Sequence, residues 1–189
     1  MPPKVKVTKE DVITASINMV RESGVDVLNA RALATYIGCS TQPIFSNFSS
    51  MIELKQEVLQ AAKDIYGDFL RREMESGQYP PYKASGIGYI RFAKEEKELF
   101  KMLFMREREV ETIKDEFDGM TREVVEMMQR SMGWSYEKAE QFHLRMWIFV
   151  HGIATLLATS YLPLPWEDIS NLITDMYQGM SKQNLSEED

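Results

Sequence analysis

Apolar residues recur at three- and four-residue spacing through nearly the whole chain, and no stretch of strict apolar-polar alternation bounded by hairpin turns interrupts them. A sequence with that single period buries its hydrophobic residues only by packing helix on helix, so the expected fold class is all-α. At 189 residues the chain holds one domain, or one domain with a small appended module.

Capping residues divide the pattern into elements. Thr8 is the expected N-cap of a first helix, with Asp11 three residues on and Val7 placed to staple against Val12. Its inner face is Val12, Ile13, Ile17 and Val20, and Gly24 ends it. A short second helix runs from the Asn29 N-cap through Ala30, Leu33, Ala34 and Ile37 to Gly38. A third follows from Ser40, read as its cap, through Ile44 to Phe48, with Pro43 tolerated in the first turn. A long helix is expected from about Met51 to Ser76, and Pro80-Pro81 interrupts what comes next. Further helices are expected at roughly 82–94, 96–106, 109–132 and 135–160, and a last one from near Trp166 with Glu167 and Asp168 in its first turn. The tail from Ser186 to Asp189 reads as frayed.

The net charge is −7 and the pI about 5.0, but the balance is uneven. Residues 1–48 carry Lys4, Lys6, Lys9, Arg21 and Arg31 against Glu10, Asp11, Glu22 and Asp26, a local charge of +1, which leaves −8 on the remainder. Cations at the N-terminal end can meet a polyanion that the whole molecule would repel. One cysteine, Cys39, and two histidines give poor material for a zinc site. His143 and His151 lie about 80° apart round a helix with no third ligand in register, so no metal and no cofactor are expected. Gly86-Ile87-Gly88 lacks the strand and the further glycines of a dinucleotide loop. No nucleophile has a readable base beside it, and a non-enzymatic protein is expected. With no apolar run of about 18 residues and no leader pattern, the expected location is the cytoplasm, away from membranes.

Two short helices joined through Gly38-Cys39-Ser40 and preceded by a longer one form a helix-turn-helix pattern, whose second short helix enters the DNA major groove. Ala34 allows close helix approach, Gly38 permits the turn, and Cys39 is read as a compact buried hydrophobe. Thr41, Gln42, Pro43 and Ser46 are the candidate base contacts: Gln42 can pair bidentately with adenine, and the Pro43 ring can press on a thymine methyl. The candidate phosphate contacts are Lys6, Lys9, Arg31, Ser40, Phe45, Asn47 and Lys55. Methionines and aromatics in the second part of the chain suit a pocket for apolar or planar ligands, with Tyr66, Phe69, Tyr89, Phe92, Met102, Phe104, Met105, Phe117, Met120 and Trp147 as candidate lining.

Residues 8–55 resemble the N-terminal domain of the TetR family of one-component transcriptional regulators. The resemblance rests on the helix ending in Gly24, the stretch Asn29-Ala30-Arg31-Ala32-Leu33-Ala34, the turn Ile37 to Ser40, and Ile44 to Phe48 followed by Glu53-Leu54. Family members place Tyr, His and Lys at the positions of Phe45, Asn47 and Met51, where they hold phosphates; here Phe45 has no hydroxyl and Met51 no charge, while Lys55 stands one turn on. The rest of the chain, about residues 60–183, is similar to the family's C-terminal domain in helix count and order, and Trp147 to Ile153 looks like a signature of one branch. The resemblance implies a helix-turn-helix domain at 1–50 and a ligand-binding and dimerisation domain at 51–189, linked by the long helix. It also implies a homodimer interface at Ile148, Gly152, Leu156, Ile169 and Ile173, double-stranded operator DNA and a small-molecule effector as partners, and action as a repressor on a pseudo-palindromic operator. The alternative is a helical interaction protein that kept the fold and lost operator binding.

Overall fold

The computed structural model describes the backbone of residues 7–106 and 110–186, and the side chains of 7–106 and 121–182. Nine α-helices and one 3-10 turn make up the described residues, with no strand: α1 Lys9–Ser23, the turn Val25–Val27, α2 Ala30–Ile37, α3 Gln42–Asn47, α4 Met51–Glu75, α5 Pro81–Glu95, α6 Lys97–Phe104, α7 Val110–Met132, α8 Tyr136–Ala158 and α9 Trp166–Ser186. The all-α expectation and the order of elements hold. The helix ends fall within two residues of the sequence reading, α6 stopping at Phe104 and α8 at Ala158, each two residues before the expected 106 and 160. The expected frayed tail falls almost wholly outside the described residues.

The chain divides into two compact units, residues 1–67 with 96–106, and residues 68–95 with 107–189. The first unit therefore takes in the head of α4 and all of α6 as well as the three N-terminal helices, and α4 runs unbroken through both memberships.

In the first unit α1 is the hub, packing on α2, α3 and α6. Its start is a full capping box: Thr8 Oγ1 accepts the Asp11 N–H at 3.1 Å, and the Asp11 carboxylate accepts the Thr8 N–H at 2.9 Å. Donation to it from Thr8, the backbone N–H first and the side chain second, holds the Asp11 carboxyl below its ordinary pKa. Val12, Val20, Leu28, Leu33, Ile44, Phe48, Leu54, Val58, Leu99 and Phe100 form the core, each such side chain contributing about 1.5–3 kcal/mol by leaving water. At its rim the Arg21 guanidinium grips the Glu96 carboxylate with two parallel bonds of 2.8 and 2.7 Å, tying the C-terminal end of α1 to the entrance of α6.

In the second unit α5 and α8 share the largest contact, and α7 and α9 flank them. Ala84, Ile87 and Ile90 of α5, Ala139, Phe142, Met146, Ile153 and Ala154 of α8, and Ile169 and Ile173 of α9 are buried. Gly88 lets α5 approach the C-terminal part of α4, since a Cβ there would lie 3.1 Å from the Leu70 Cα and 3.2 Å from the Phe69 carbonyl oxygen. Beside that contact Phe69 and Phe92 meet edge to face at 5.5 Å, and Arg91 pairs with the buried Glu73. Arg91 and Lys94 both lie over the ring of Trp166, the first residue of α9. Lys83 donates to Ser170 and Thr174 of the same helix at 2.7 and 2.8 Å.

Candidate functional site

Local chemistry fixes the two short helices. Asn29 Oδ1 accepts the Ala32 N–H at 3.0 Å, capping α2 as its sequence requires. At the other end Gly38 has φ +77°, the left-handed region that favours glycine. Its N–H reaches the Thr35 carbonyl at 3.2 Å while the Cys39 N–H reaches that of Ala34 at 2.9 Å, the paired bonds of a Schellman turn.

This turn corrects the reading of Ser40 as the cap of α3. Helix α3 starts at Gln42, with Thr41 in the N-cap position and no side-chain capping bond, which puts Pro43 at the second helical residue. Ser40 is exposed in the turn, and Cys39 is only half-buried. The Schellman bonds carry the turn through Cys39 and α3 begins only at Gln42, so Ser40 stays in the turn one residue short of the cap position.

The buried Ile44 and Phe48 anchor α3 in the core, leaving Gln42, Phe45 and Ser46 exposed and Thr41 and Pro43 half-buried. Three of the four candidate base contacts thus have their helix position defined by Ile44, and Thr41 sits at its mouth. Ser46 Oγ donates to the Gln42 carbonyl at 2.9 Å. Beyond α3 the chain turns at once into α4: Ser50 Oγ accepts the Glu53 N–H at 3.2 Å, and the Glu53 carboxylate accepts both the N–H and the hydroxyl of Ser49, at 2.6 and 2.5 Å. The Ser49 donors hold the Glu53 carboxyl below its ordinary pKa.

Two candidate phosphate contacts are occupied within the protein. Lys9 Nζ donates to Glu57 at 2.6 Å and lies 5.5 Å above the Phe48 ring, and the bond to the Glu57 carboxylate raises its pKa. Asn47 Nδ2 spends both hydrogens on carbonyl groups, those of Val7 at 3.2 Å and Pro43 at 2.9 Å, so its amide locks the N-terminal end of α1 to α3 and has no donor left for a phosphate. Arg31 and Lys55 are exposed. Phe45 is 49% exposed and Ile52, at the head of α4, 72%; the exposure of Ile52 was not foreseen, although its place beside the buried Leu54 on the opposite side of α4 carries the signal. Lys6 lies outside the described residues.

The candidate pocket residues fall into two groups. In the first unit Tyr66 meets Phe104 edge to face at 5.4 Å, Met102 is buried and Met105 is exposed. In the second, Phe69, Tyr89 and Phe92 are buried and Trp147 stacks on His151 at 4.9 Å with 18° between the planes. The Tyr89 hydroxyl lies 2.8 Å from His151 Nδ1, and that of Tyr82 3.2 Å from His143 Nδ1. Burial pushes the pKa of both histidines down, that of His143 to about 4. Phe117 and Met120 lie outside the residues whose side chains are described. Among the described residues no three side chains of metal-ligating type converge, and no helix is long and apolar enough to cross a membrane.

Of the candidate interface residues, Ile148 is 59% exposed and Gly152 faces open space, while Leu156 is half-buried. Ile169 and Ile173 are corrected: at 0% and 3% exposure they belong to the core of their own unit. Besides Ile148, α8 exposes Tyr136 and Leu144 and α9 exposes Leu172, none of which the sequence reading named as interface candidates. Ile169, Leu172 and Ile173 share one apolar arc, and periodicity alone does not say which edge of it turns inward.

No curated protein matches the chain. A family model described as "Tetracyclin repressor-like, C-terminal domain" matches residues 82–179, from α5 into α9 and more than half of the chain. Coming behind two short helices joined by a capped glycine turn, that match settles the family: the chain belongs to the TetR family of regulators.

Proposed function

We propose that the protein is a ligand-responsive transcriptional repressor. It binds a pseudo-palindromic operator as a homodimer and is released by a small apolar or planar effector held by the C-terminal helices. The observation that carries the reading is the pairing of α2, the Gly38 turn and an α3 whose outward residues are Gln42, Phe45 and Ser46 with a tetracycline repressor-like C-terminal domain. Thr41, Gln42, Pro43 and Ser46 meet base edges, with Arg31 and Lys55 on the phosphates. Helix α4 is the lever. Effector entry repacks the helices packed on its C-terminal part and changes the separation of the two recognition helices. Since half-sites one helical turn apart accept one separation only, an effector that prefers the other weakens operator binding by its own ratio of affinities. The dimer forms through the exposed faces of α8 and α9, around Ile148 and Gly152. Deleting the gene is expected to raise expression of the neighbouring operon; a fall in expression contradicts repression.

A second reading, a helical interaction protein without operator binding, draws on the engagement of Lys9 and Asn47 and on the missing donors at Phe45 and Met51. It predicts no salt-dependent affinity for any duplex.

A further inference from the structure

Between Arg31 and Glu53 the sequence contains no charged residue, a run that covers the rest of α2, the turn, all of α3 and the entrance to α4. Guanine is read in the major groove chiefly by arginine or lysine forked onto its O6 and N7, and α3 carries neither. Its outward surface has a different chemistry. With successive residues about 100° apart and Ile44 turned into the core, Gln42 and Ser46 form the outermost line of the helix, Phe45 flanks them on one side and Pro43 on the other. Ser46 donates its hydroxyl to the Gln42 carbonyl and Asn47 both amide hydrogens to two others, which leaves Ser46 an acceptor and makes the Gln42 amide the group of α3 that can both donate to and accept from a base edge; half-exposed Phe45 is its largest apolar one.

We propose that α3 selects A·T base pairs, Gln42 taking the N6 and N7 edge of adenine and Phe45 packing on the C5-methyl groups of neighbouring thymines, which makes Phe45 a specificity-determining residue. The two contacts are complementary, because a run of A·T pairs presents adenine edges and thymine methyls side by side on the groove floor, and the methyl is the apolar group that distinguishes thymine there. Phe45, unable to hold a phosphate, thereby acquires a partner that needs no hydroxyl. The proposal rests on the DNA-binding reading above.

The test selects duplexes from a random-sequence pool with the full-length protein, then measures anisotropy binding at fixed salt to the selected duplex and to copies in which single dT positions are replaced by dU, which lacks only the methyl. Half-sites dominated by A·T are expected. Each contacted dT→dU change should weaken wild-type binding about fourfold, the effect of one buried methyl-sized group. Phe45→Ala should bind more weakly and become indifferent to the same replacements, whereas Phe45→Leu keeps part of the sensitivity; thermal melts establish that both variants are folded. Half-sites specified by G·C, a wild type indifferent to dU, or a Phe45→Ala variant as sensitive to dU as the wild type overturns the proposal. A pool that yields no enriched duplex overturns the DNA-binding reading itself, and the proposal with it.

Discussion

His143 packs edge to face on Tyr82 at 5.9 Å between ring centroids, and burial lowers its pKa to about 4. An unfolded histidine takes up its proton near pH 6.5, so between those values the unfolded chain binds more protons and stability falls as the pH drops. Urea unfolding at pH 7.5 and pH 5 is expected to show a loss of about 2 kcal/mol from this group, with His151 adding in the same direction. His143→Gln should flatten that dependence, and an equally steep profile in the variant would place the effect elsewhere. Asn29→Ala removes the α2 cap and should cost about 1 kcal/mol in the same assay. Caps such as Thr8, Asn29 and Gly38 were legible in the sequence because each acts within a few residues of its own position. The engagement of Lys9 and Asn47 was not, since their partners Glu57 and Val7 lie 48 and 40 residues away, beyond the reach of any local pattern.

Among the elements, α5 shows how two glycines in one helix differ. A Cβ on Gly88 would press on the Leu70 backbone, while one on Gly86 would meet the Val150 Cγ2 at an ordinary 3.6 Å. Gly88→Ala is therefore expected to destabilise by about 1–3 kcal/mol, and Gly86→Ala to be neutral or stabilising by up to about 1 kcal/mol through helix propensity. Paired denaturation curves check this, and equal effects at the two sites would contradict the close approach of α5 to α4. On α8 the exposed Leu144, Ile148 and Gly152 are expected to pair with a second copy. Ile148→Glu should shift sedimentation from dimer to monomer with the fold intact; an unchanged dimer would move the interface elsewhere. Helix order and length were readable from apolar period, proline and glycine. The inward edge of α9 was not, because its apolar arc is wider than the face it buries and only the contacts with α5 and α8 choose among its residues.

For the whole molecule, the order of helices was legible at both ends: two short helices joined by the Gly38 turn in front, and behind them the helices at 82–179 that a tetracycline repressor-like family model covers. Less legible was the extent of the N-terminal unit, which draws in α6 from far along the chain through Arg21 and Glu96. The composition of this unit also bears on the proposed binding to DNA. With Lys9 held by Glu57 and with Arg31 and Lys55 as exposed cations near the helix-turn-helix, the proposed complex would engage two phosphates per protomer, four for a dimer, and the expected slope is about −3.6 in log affinity against log salt. Anisotropy titration of the purified protein on labelled DNA from upstream of its own gene, beside a scrambled duplex and over a series of salt concentrations, tests this most directly. Preferential binding to the upstream DNA with a slope near that value is the predicted result. Equal affinity for both duplexes, or binding that salt leaves unchanged, would contradict it.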